Sequence, residues 1–582
     1  MPRISRFPWR EFWKLIRPYW SSEERWSARA LLAVIIGMNL GSVYLNVLFN
    51  QWNRLFYNAV QKLDFPAFKY QLFRFCVLAT IFIVVAVYQI YLNRMLQIRW
   101  RRWMTERYLD SWLKGRMYYQ LQLRGGATDN PDQRISEDLR SLVSMTLDLG
   151  LGVLSSVVTL FSFLAILWRL SGPAHFAVFG FHVYIPGYML WAALVYAVVG
   201  TWLTHLVGRP LIRLNFDQQR YEADFRFSMM RLRENAEAVA LYGGEGSEHE
   251  EFRRRFAWVY GNWWKLMVRQ MKLSWLTSGY SQIAVVFPFI VAAPRYFAKQ
   301  ISLGGLMQTA SAFGQVQGSL SFIVGSYSEI ANWRAVIERL VTFRTEMEAF
   351  EEKEARDQIV VAPAPSPALT VDGLNLALPT GKPLIENVAF TVNPGDSVLV
   401  TGASGSGKST LFRALAGIWP FGKGKIDIPR DAKVMFLPQK PYMPLGTLAE
   451  ALSYPESPSL TTTEAKRQAL VDCGMESFAG RLDEVNDWAQ TLSPGEQQRI
   501  AFARVLLKKP NWVFLDEATS AVDQPIERML YATLRDRLPG ITVISIAHRK
   551  ELAEFHNRHA EVSGGGTVNR LLLSPAAGTA PS

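Results

Sequence analysis

Apolar positions fall into two regimes. Up to about Arg334 they form long unbroken runs; beyond about Pro363 they alternate with polar residues or gather in short blocks. A hydrocarbon crossing needs ~20 mostly apolar residues. Six stretches reach or approach that length: Ala28–Asn50, Leu72–Leu92, Leu149–Leu170, Tyr184–Val207, Leu276–Phe297 and Leu303–Ile330. Ahead of them, Phe12, Trp13, Ile16 and Trp20 recur among Arg10, Lys14 and Arg17. That pattern predicts an amphipathic helix lying in the headgroup region. In the second regime Leu369–Val371, Leu374–Leu378 and Val388–Val392 read as strands. Ser397–Val400, Trp512–Leu515 and Ile541–Ile546 read as buried strands around the helical Leu411–Ile418. The expected fold is a multi-domain membrane protein: an all-α six-helix transmembrane domain followed by a C-terminal α/β domain. The expected boundaries are an interfacial helix in 1–27, the membrane domain in 28–340, a linker in 341–368, the α/β domain in 369–570 and a disordered tail in 571–582.

Composition fits this division, with 16 of the 19 tryptophans in the first part where an aromatic belt belongs. The formal charge of +13 flanks apolar runs instead of forming a separate patch, which argues for a lipid bilayer and against nucleic acid. Arginines cluster after the second run (Arg99, Arg101, Arg102, Arg107) and after the fourth (Arg209, Arg213, Arg220, Arg226), whereas the opposite connections hold few. The positive-inside rule then places both termini and the α/β domain in the cytoplasm. Cys76 and Cys473 are the only cysteines, too few for a disulfide framework. The two basic connections have helical periodicity and predict extensions into the cytoplasm, with bends at Asn130–Asp138 and Glu234–Gly244. Gln308, Ser311, Gln315 and Ser319 form one polar stripe in the sixth run. Such a stripe serves either interhelical hydrogen bonds or a solute path.

The chemistry gathers in the second part. Gly402-Ala403-Ser404-Gly405-Ser406-Gly407-Lys408-Ser409 fits G-x-x-x-x-G-K-[ST] directly after a strand. Glycines let successive backbone N–H groups point at phosphates, and the helix starting near Ser409, with Thr410 in the same site, directs its positive end at them. Lys408 is expected to reach the β and γ phosphates and Ser409 to ligate Mg²⁺. The strand Trp512–Leu515 ends in Asp516, suited to a metal's water shell, and Glu517, suited to polarising an attacking water. Gln439 after a short strand can contact Mg²⁺, His548 after Ile541–Ile546 can reach a γ-phosphate, and Ser493 and Gly495 open a helix at Leu492–Arg499. Taken singly, each of these three is more often an ordinary loop or cap residue.

Their order, with Ser520-Ala521-Val522-Asp523 as a D-loop, resembles the nucleotide-binding domain of ATP-binding cassette transporters. The resemblance implies ATP and Mg²⁺, and a homodimer in which one subunit's phosphate loop faces the other's Ser493, Gly495 and Glu496, with Asp523 nearby. No nucleic acid and no separate binding protein are implied. Asn130–Arg134, Glu237–Gly244, Ala293–Ala298, Pro441–Leu448 and Tyr454-Pro455 resemble the BacA-like bacterial transporters fused to an ATPase, relatives of the peroxisomal and lysosomal half-transporters. That narrower resemblance implies inward movement of hydrophilic or amphipathic solutes, such as peptides or cobalamin, across a bacterial inner membrane. Lipid or acyl-CoA transport is the alternative cargo, and a nucleotide-gated channel or membrane regulator the alternative mechanism. Two positions depart from the family pattern. Pro494 stands in the signature, where it offers no backbone N–H, and Leu378 stands where an aromatic usually stacks on adenine.

Overall fold

The computed structural model describes residues 9–123, 130–171, 173–178, 181–353, 359–547, 549–563 and 570–575. They divide into two units: one from the described part of Met1–Asp110 with Asn130–Arg344, the other from the described parts of Ser111–Asp129 and Thr345–Ser582.

In the first unit the amphipathic segment forms the helix Trp9–Trp20, with Phe12, Leu15, Ile16 and Tyr19 buried and Trp9 and Trp13 exposed. Five helices are long and apolar enough to cross a membrane: Arg25–Gln61, Phe65–Leu123, Pro131–Ser171, Tyr188–Glu234 and Glu245–Phe297. The most apolar window of the second is 6% buried, so Ile81, Val84, Val87 and Ile90 stay exposed within the chain, as suits a face turned to lipid. The sixth, Leu303–Gly325, is not among the five. Its glutamines and serines dilute its hydropathy, and a break at Ser326 separates it from Tyr327–Lys353, so the expected single run to Ile330 is two helices. Phe163, Leu167, Ala193, Ala312, Phe313 and Val316 form a shared core of the third, fourth and sixth helices.

The fourth crossing does not begin at Tyr184. Pro173–Val178 and Phe181–Pro186 pair as an antiparallel hairpin, and the helix starts at Tyr188 after Gly187, whose φ of +67° needs a residue without Cβ. Arg295, in the Ala293–Ala298 motif, donates to the carbonyls of Leu170 and Ser171, satisfying the last turn of the third helix. The Asn130–Asp138 motif starts a helix with Asn130 at φ +56° and Pro131 in the first turn. Its Asp138, 4% exposed, accepts from Arg134 at 2.8 Å and from Arg339 at 2.9 and 2.6 Å. The motif thus opens a new helix, as expected of a bend, and also makes an ion-paired brace; a further break lies earlier. Gly115 at φ +59° breaks the second helix, and Met117–Leu123 folds into the second unit, where Arg116 donates to the Ala416 carbonyl at 2.9 Å. The other expected bend is the helix Ala236–Tyr242, closed by Gly243 at φ +61°, with Leu241 and Tyr242 80% and 89% exposed.

In the second unit a six-stranded sheet runs in the order Arg570–Pro575, Arg558–Ser563, Ser397–Gly402, Thr542–Ile546, Trp512–Asp516, Val434–Leu437. All pairs are parallel except the first. A four-stranded sheet accompanies it: Ile359–Ala364, Gly422–Pro429, Leu369–Ala377, Pro383–Val392. The segment expected as a Pro-rich linker thus supplies an edge strand. Ile359, Val360 and Val361 favour extended backbone, and Pro363 is tolerated because an edge strand leaves one side of its backbone unpaired. The expected tail likewise carries a strand as far as Pro575, and residues beyond it lie outside the described set. Val513, Phe514 and Leu515 are at most 1% exposed, and Phe514 stacks on Phe436 with centroids 4.3 Å apart. Burying each such side chain contributes about 1.5–3 kcal/mol. The register aligns Val400 with Ile546, Ile546 with Asp516, and Leu515 with Leu437, so the chain leaves four strands at one edge. In open α/β sheets that edge is where ligands bind.

Candidate nucleotide site

At this edge Gly402, Gly405 and Gly407 have φ of +147°, +77° and +98°, the conformations a phosphate cradle requires and a side chain resists. A Cβ on Gly402 would lie 2.5 Å from the Val562 carbonyl oxygen. Ser404 and Gly405 are exposed at the tip, while Lys408 and Thr410 are buried at the start of the helix Lys408–Leu415. Lys408 donates to the carbonyls of Gly402 at 2.8 Å and Ala403 at 2.9 Å. Burial pushes its ammonium below the usual lysine range, opposed by the nearby carboxylates of Glu517 and Asp516.

Ser409 donates to Asp516 at 3.0 Å, joining the expected metal-binding hydroxyl and carboxylate. Burial raises the Asp516 pKa, the Ser409 hydrogen bond opposes that, and the charge of Glu517 adds to it. The cationic side chains of Arg413 and Lys408 lie near enough to lower it in turn. The donor set is hydroxyl and carboxylate oxygen, which suits a hard ion. Among the described residues no three His, Cys, Asp or Glu side chains cluster for a metal. Phosphate and water would have to complete a Mg²⁺ shell, as that ion prefers. Gln439 is exposed and donates to Glu517 at 2.8 Å. Glu517 sits at φ +48°, costly for a residue with Cβ. Its N–H bonds the Ile546 carbonyl at 3.0 Å, which helps hold the carboxylate at the strand end. His548 lies outside the described residues. Its chain neighbour Arg549 donates to Glu527 at 3.0 Å and to the Val522 carbonyl at 3.1 Å, and Thr519 donates to the other Glu527 oxygen at 2.6 Å. The D-loop and the chain beside the histidine are thereby fastened to one buried carboxylate.

The signature residues are organised as a helix start. Ser493 caps Pro494–Lys508 in a capping box: the Glu496 N–H donates to its Oγ at 3.3 Å, and its own N–H donates to the Glu496 carboxylate at 2.8 Å. Pro494 occupies the first turn, where its missing N–H costs little. A Cβ on Gly495 would lie 2.9 Å from the Ala521 carbonyl oxygen, so glycine here permits close approach of the D-loop. Asp523 caps the next helix, accepting from the Ile526 N–H at 3.1 Å. Leu378 is half-buried in the turn after Leu369–Ala377, its N–H bonding the Lys382 carbonyl at 2.8 Å. In the Pro441–Pro455 region the motif is anchored by Arg504, which donates to the carbonyls of Tyr442 and Ala451 at 2.8 Å each. Burial lowers its pKa to about 10.

In the membrane unit the polar stripe is split. Gln308, 4% exposed, donates to the Asn50 side chain at 3.1 Å, and Asn50 donates to the Gln308 carbonyl at 2.9 Å. Ser319, 8% exposed, donates to the Gln315 carbonyl of its own helix at 2.8 Å, and Ser311 and Gln315 are half-buried. The stripe's first residue thus pairs two helices. A cavity of about 660 Å³ lies elsewhere, between the fourth and fifth helices, lined by Trp191, Tyr196, Tyr280, Phe287 and Pro294 among others. No sequence signal separates its aromatic residues from ordinary membrane-helix residues.

Comparison with known proteins agrees with this geometry. The family described as ABC transporter transmembrane region 2 matches residues 14–297, and that described as ABC transporter matches 385–520. The chain is 34% identical over 625 residues to ABC transporter D family member 2, chloroplastic, of Arabidopsis thaliana, covering 95% of this chain and 86% of that one. It is 35% identical over 540 residues to the inner membrane ABC transporter ATP-binding protein YddA of Escherichia coli, covering 92% and 94%. A more distant relative is the human lysosomal cobalamin transporter, 28% identical with 95% and 94% covered. The fold matches a bacterial Atm1-family ABC exporter with ATP bound, at a TM-score of 0.71 and 19% identity, covering 94% and 95%. With one membrane domain and one ATP-hydrolysing cassette on the same chain, this protein belongs to the ATP-binding cassette transporters, as a membrane-spanning half-transporter homologous to subfamily D.

Proposed function

We propose that two copies of this chain form an ATP-driven importer of the BacA-like type, moving hydrophilic or amphipathic solutes such as peptides or cobalamin across a bacterial inner membrane. The observation that carries the ATP-driven part is the pairing of Ser409 with Asp516 and of Gln439 with Glu517 beside the phosphate loop. Each side chain then has a part. The loop N–H groups and Lys408 bind phosphates. Ser409 and Asp516 would hold Mg²⁺, which neutralises phosphate charge. Glu517 accepts the proton of the attacking water, and Gln439 orients that carboxylate. Ser493 and Gly495 lie on a separate helix start and serve the partner's nucleotide. The exposed Leu241 and Tyr242, far larger than a solvated helix tip needs, suit coverage by a second copy. Basic residues beyond the second and fourth crossings favour cytoplasmic termini and a cytoplasmic cassette.

The cobalamin named in the human relative supports a hydrophilic cargo. A second reading, lipid or acyl-CoA as cargo, is favoured by the aromatic cavity between the fourth and fifth helices, which offers an apolar chain more contact than the stripe offers a polar solute. Uptake of labelled cobalamin and a cationic peptide into cells with and without the protein tests the first reading. Entry of either that is lost in Glu517→Gln supports it. Outward movement only, or movement of lipid only, refutes it.

A further inference from the structure

One residue of the signature helix has contacts out of proportion to its place in the motif. Gln498, five positions after Ser493, is 2% exposed. Its Nε2 donates to the Gln439 carbonyl at 3.0 Å, the Ser520 hydroxyl at 3.2 Å and the Glu517 carbonyl at 3.4 Å. Its Oε1 accepts from the Ala521 N–H at 2.9 Å. The two N–H bonds of one amide are thus shared among three acceptors, on the glutamine loop, the D-loop and the carboxylate strand end. Those acceptors lie 59, 22 and 19 residues from Gln498 along the chain. The neighbouring Gln497 turns the other way and donates to the carbonyls of Ala489 and Leu492 at 2.9 and 3.0 Å, fixing the approach to the signature. A helix is stiff along its axis and its hydrogen bonds are short-ranged. A shift of the Ser493 end is therefore felt by Gln498 little more than one turn later.

We propose that Gln498 is a positioning residue that couples the two nucleotide sites of the dimer. Through it the signature helix, whose Ser493 end faces the partner's nucleotide, is fastened to the Gln439 loop and to Glu517, which serve the nucleotide of its own subunit. Nucleotide engaged at one site pulls on the signature helix of the opposite chain, and Gln498 carries that displacement to the opposite chain's Gln439 and Glu517. It touches no substrate; it acts through Gln439 and Glu517. The inference rests on the shared-site homodimer proposed above.

Mixed dimers of the full chain in lipid nanodiscs test it, made from two differently tagged copies, one carrying Glu517→Gln. The single working site then uses the intact copy's phosphate loop and the disabled copy's signature. Ser493→Ala in the disabled copy is the control for the shared site. A fall in turnover there establishes sharing, and unchanged turnover overturns the sharing and the coupling together. Gln498→Met, which keeps length and removes the hydrogen bonds, and Gln498→Glu, which keeps the acceptor and removes the donors, are then placed in either copy. In the intact copy the expected result is a roughly ten-fold fall in kcat with KM for ATP within about two-fold. In the disabled copy Gln498 leads only to the silenced Glu517 position, and turnover within about two-fold of the parent mixed dimer is expected. If the Ser493 control responds but the intact-copy Gln498 variants leave turnover as dependent on nucleotide at the other site as before, a dependence read by emptying that site with Lys408→Ala in the disabled copy, Gln498 is a local prop and the coupling is refuted. No effect from either copy refutes it as well. Melting temperature checks folding, and agreement between the two variants is required.

Discussion

Gly495→Ala is the sharpest single perturbation of the cassette. The added methyl carbon would lie 2.9 Å from the Ala521 carbonyl oxygen and 3.4 Å from Val522 Cγ1. Carbon–oxygen contacts become comfortable near ~3.3 Å, so the signature helix and the D-loop must part by about 0.4 Å. The loop has little freedom to yield. Ala521 is bonded to Gln498, the Val522 carbonyl to Arg549, and Asp523 caps the next helix. Overpacking of this kind costs ~1–3 kcal/mol. If that cost falls on the assembled site, turnover drops roughly five- to 150-fold at 1.36 kcal/mol per decade. The assay is ATP hydrolysis in nanodiscs, with kcat and KM separated and melting followed in parallel. Gly480→Ala is the comparator, because a Cβ there meets nothing within 4 Å. Turnover of Gly495→Ala within about two-fold of wild type, in well-folded protein, would refute the claim that this close approach is needed.

Ser409→Ala removes the hydroxyl that donates to Asp516; nucleotide is expected to bind with a several-fold weaker dependence on Mg²⁺ and turnover to fall at least roughly ten-fold, measured by titrating Mg²⁺ at fixed ATP. His556 predicts an acid limit to cassette stability. Its Nδ1 donates to the Leu552 carbonyl at 2.7 Å, so Nε2 accepts from Ser545 at 2.9 Å, and burial lowers its pKa to about 4. A depressed pKa contributes stability above the unfolded value of about 6.5, lost as pH falls toward 4. The integrated loss is ~3 kcal/mol, and a His556→Gln variant should show a flatter melting-temperature profile between pH 7 and 4.

The phosphate loop is legible because its chemistry is local: Gly402 to Ser409 need only their own spacing and a preceding strand. Ser409, Asp516, Gln439 and Glu517 can be named from motif order, but their pairing requires the parallel register that aligns Val400, Ile546 and Asp516. Pro494 reads from the sequence as a lost donor to a ligand, and its place in the first helical turn shows that no intrahelical bond is lost with it. Gln498 stands close to named positions, yet its partners are long-range and leave no periodic trace. In the membrane half, hydropathy locates the crossings but not their ends. Phe181–Pro186 is apolar enough to extend a helix, and only hairpin pairing shows otherwise. Gly115 looks like any glycine in a basic helix, although its left-handed φ turns the chain. Gln308 belongs to a periodic stripe that admits two readings, and its partner Asn50 lies 258 residues away.

Whether hydrolysis at this site drives solute across the membrane is tested most directly by accumulation in sealed vesicles. Inside-out and right-side-out preparations containing the full chain are loaded with ATP and Mg²⁺ on the cassette side, and labelled solute is followed on both sides. The predicted result is accumulation against the gradient, abolished in Glu517→Gln while that variant still binds nucleotide. Mere equilibration of solute, or accumulation that survives in Glu517→Gln, would contradict ATP-driven transport by this chain.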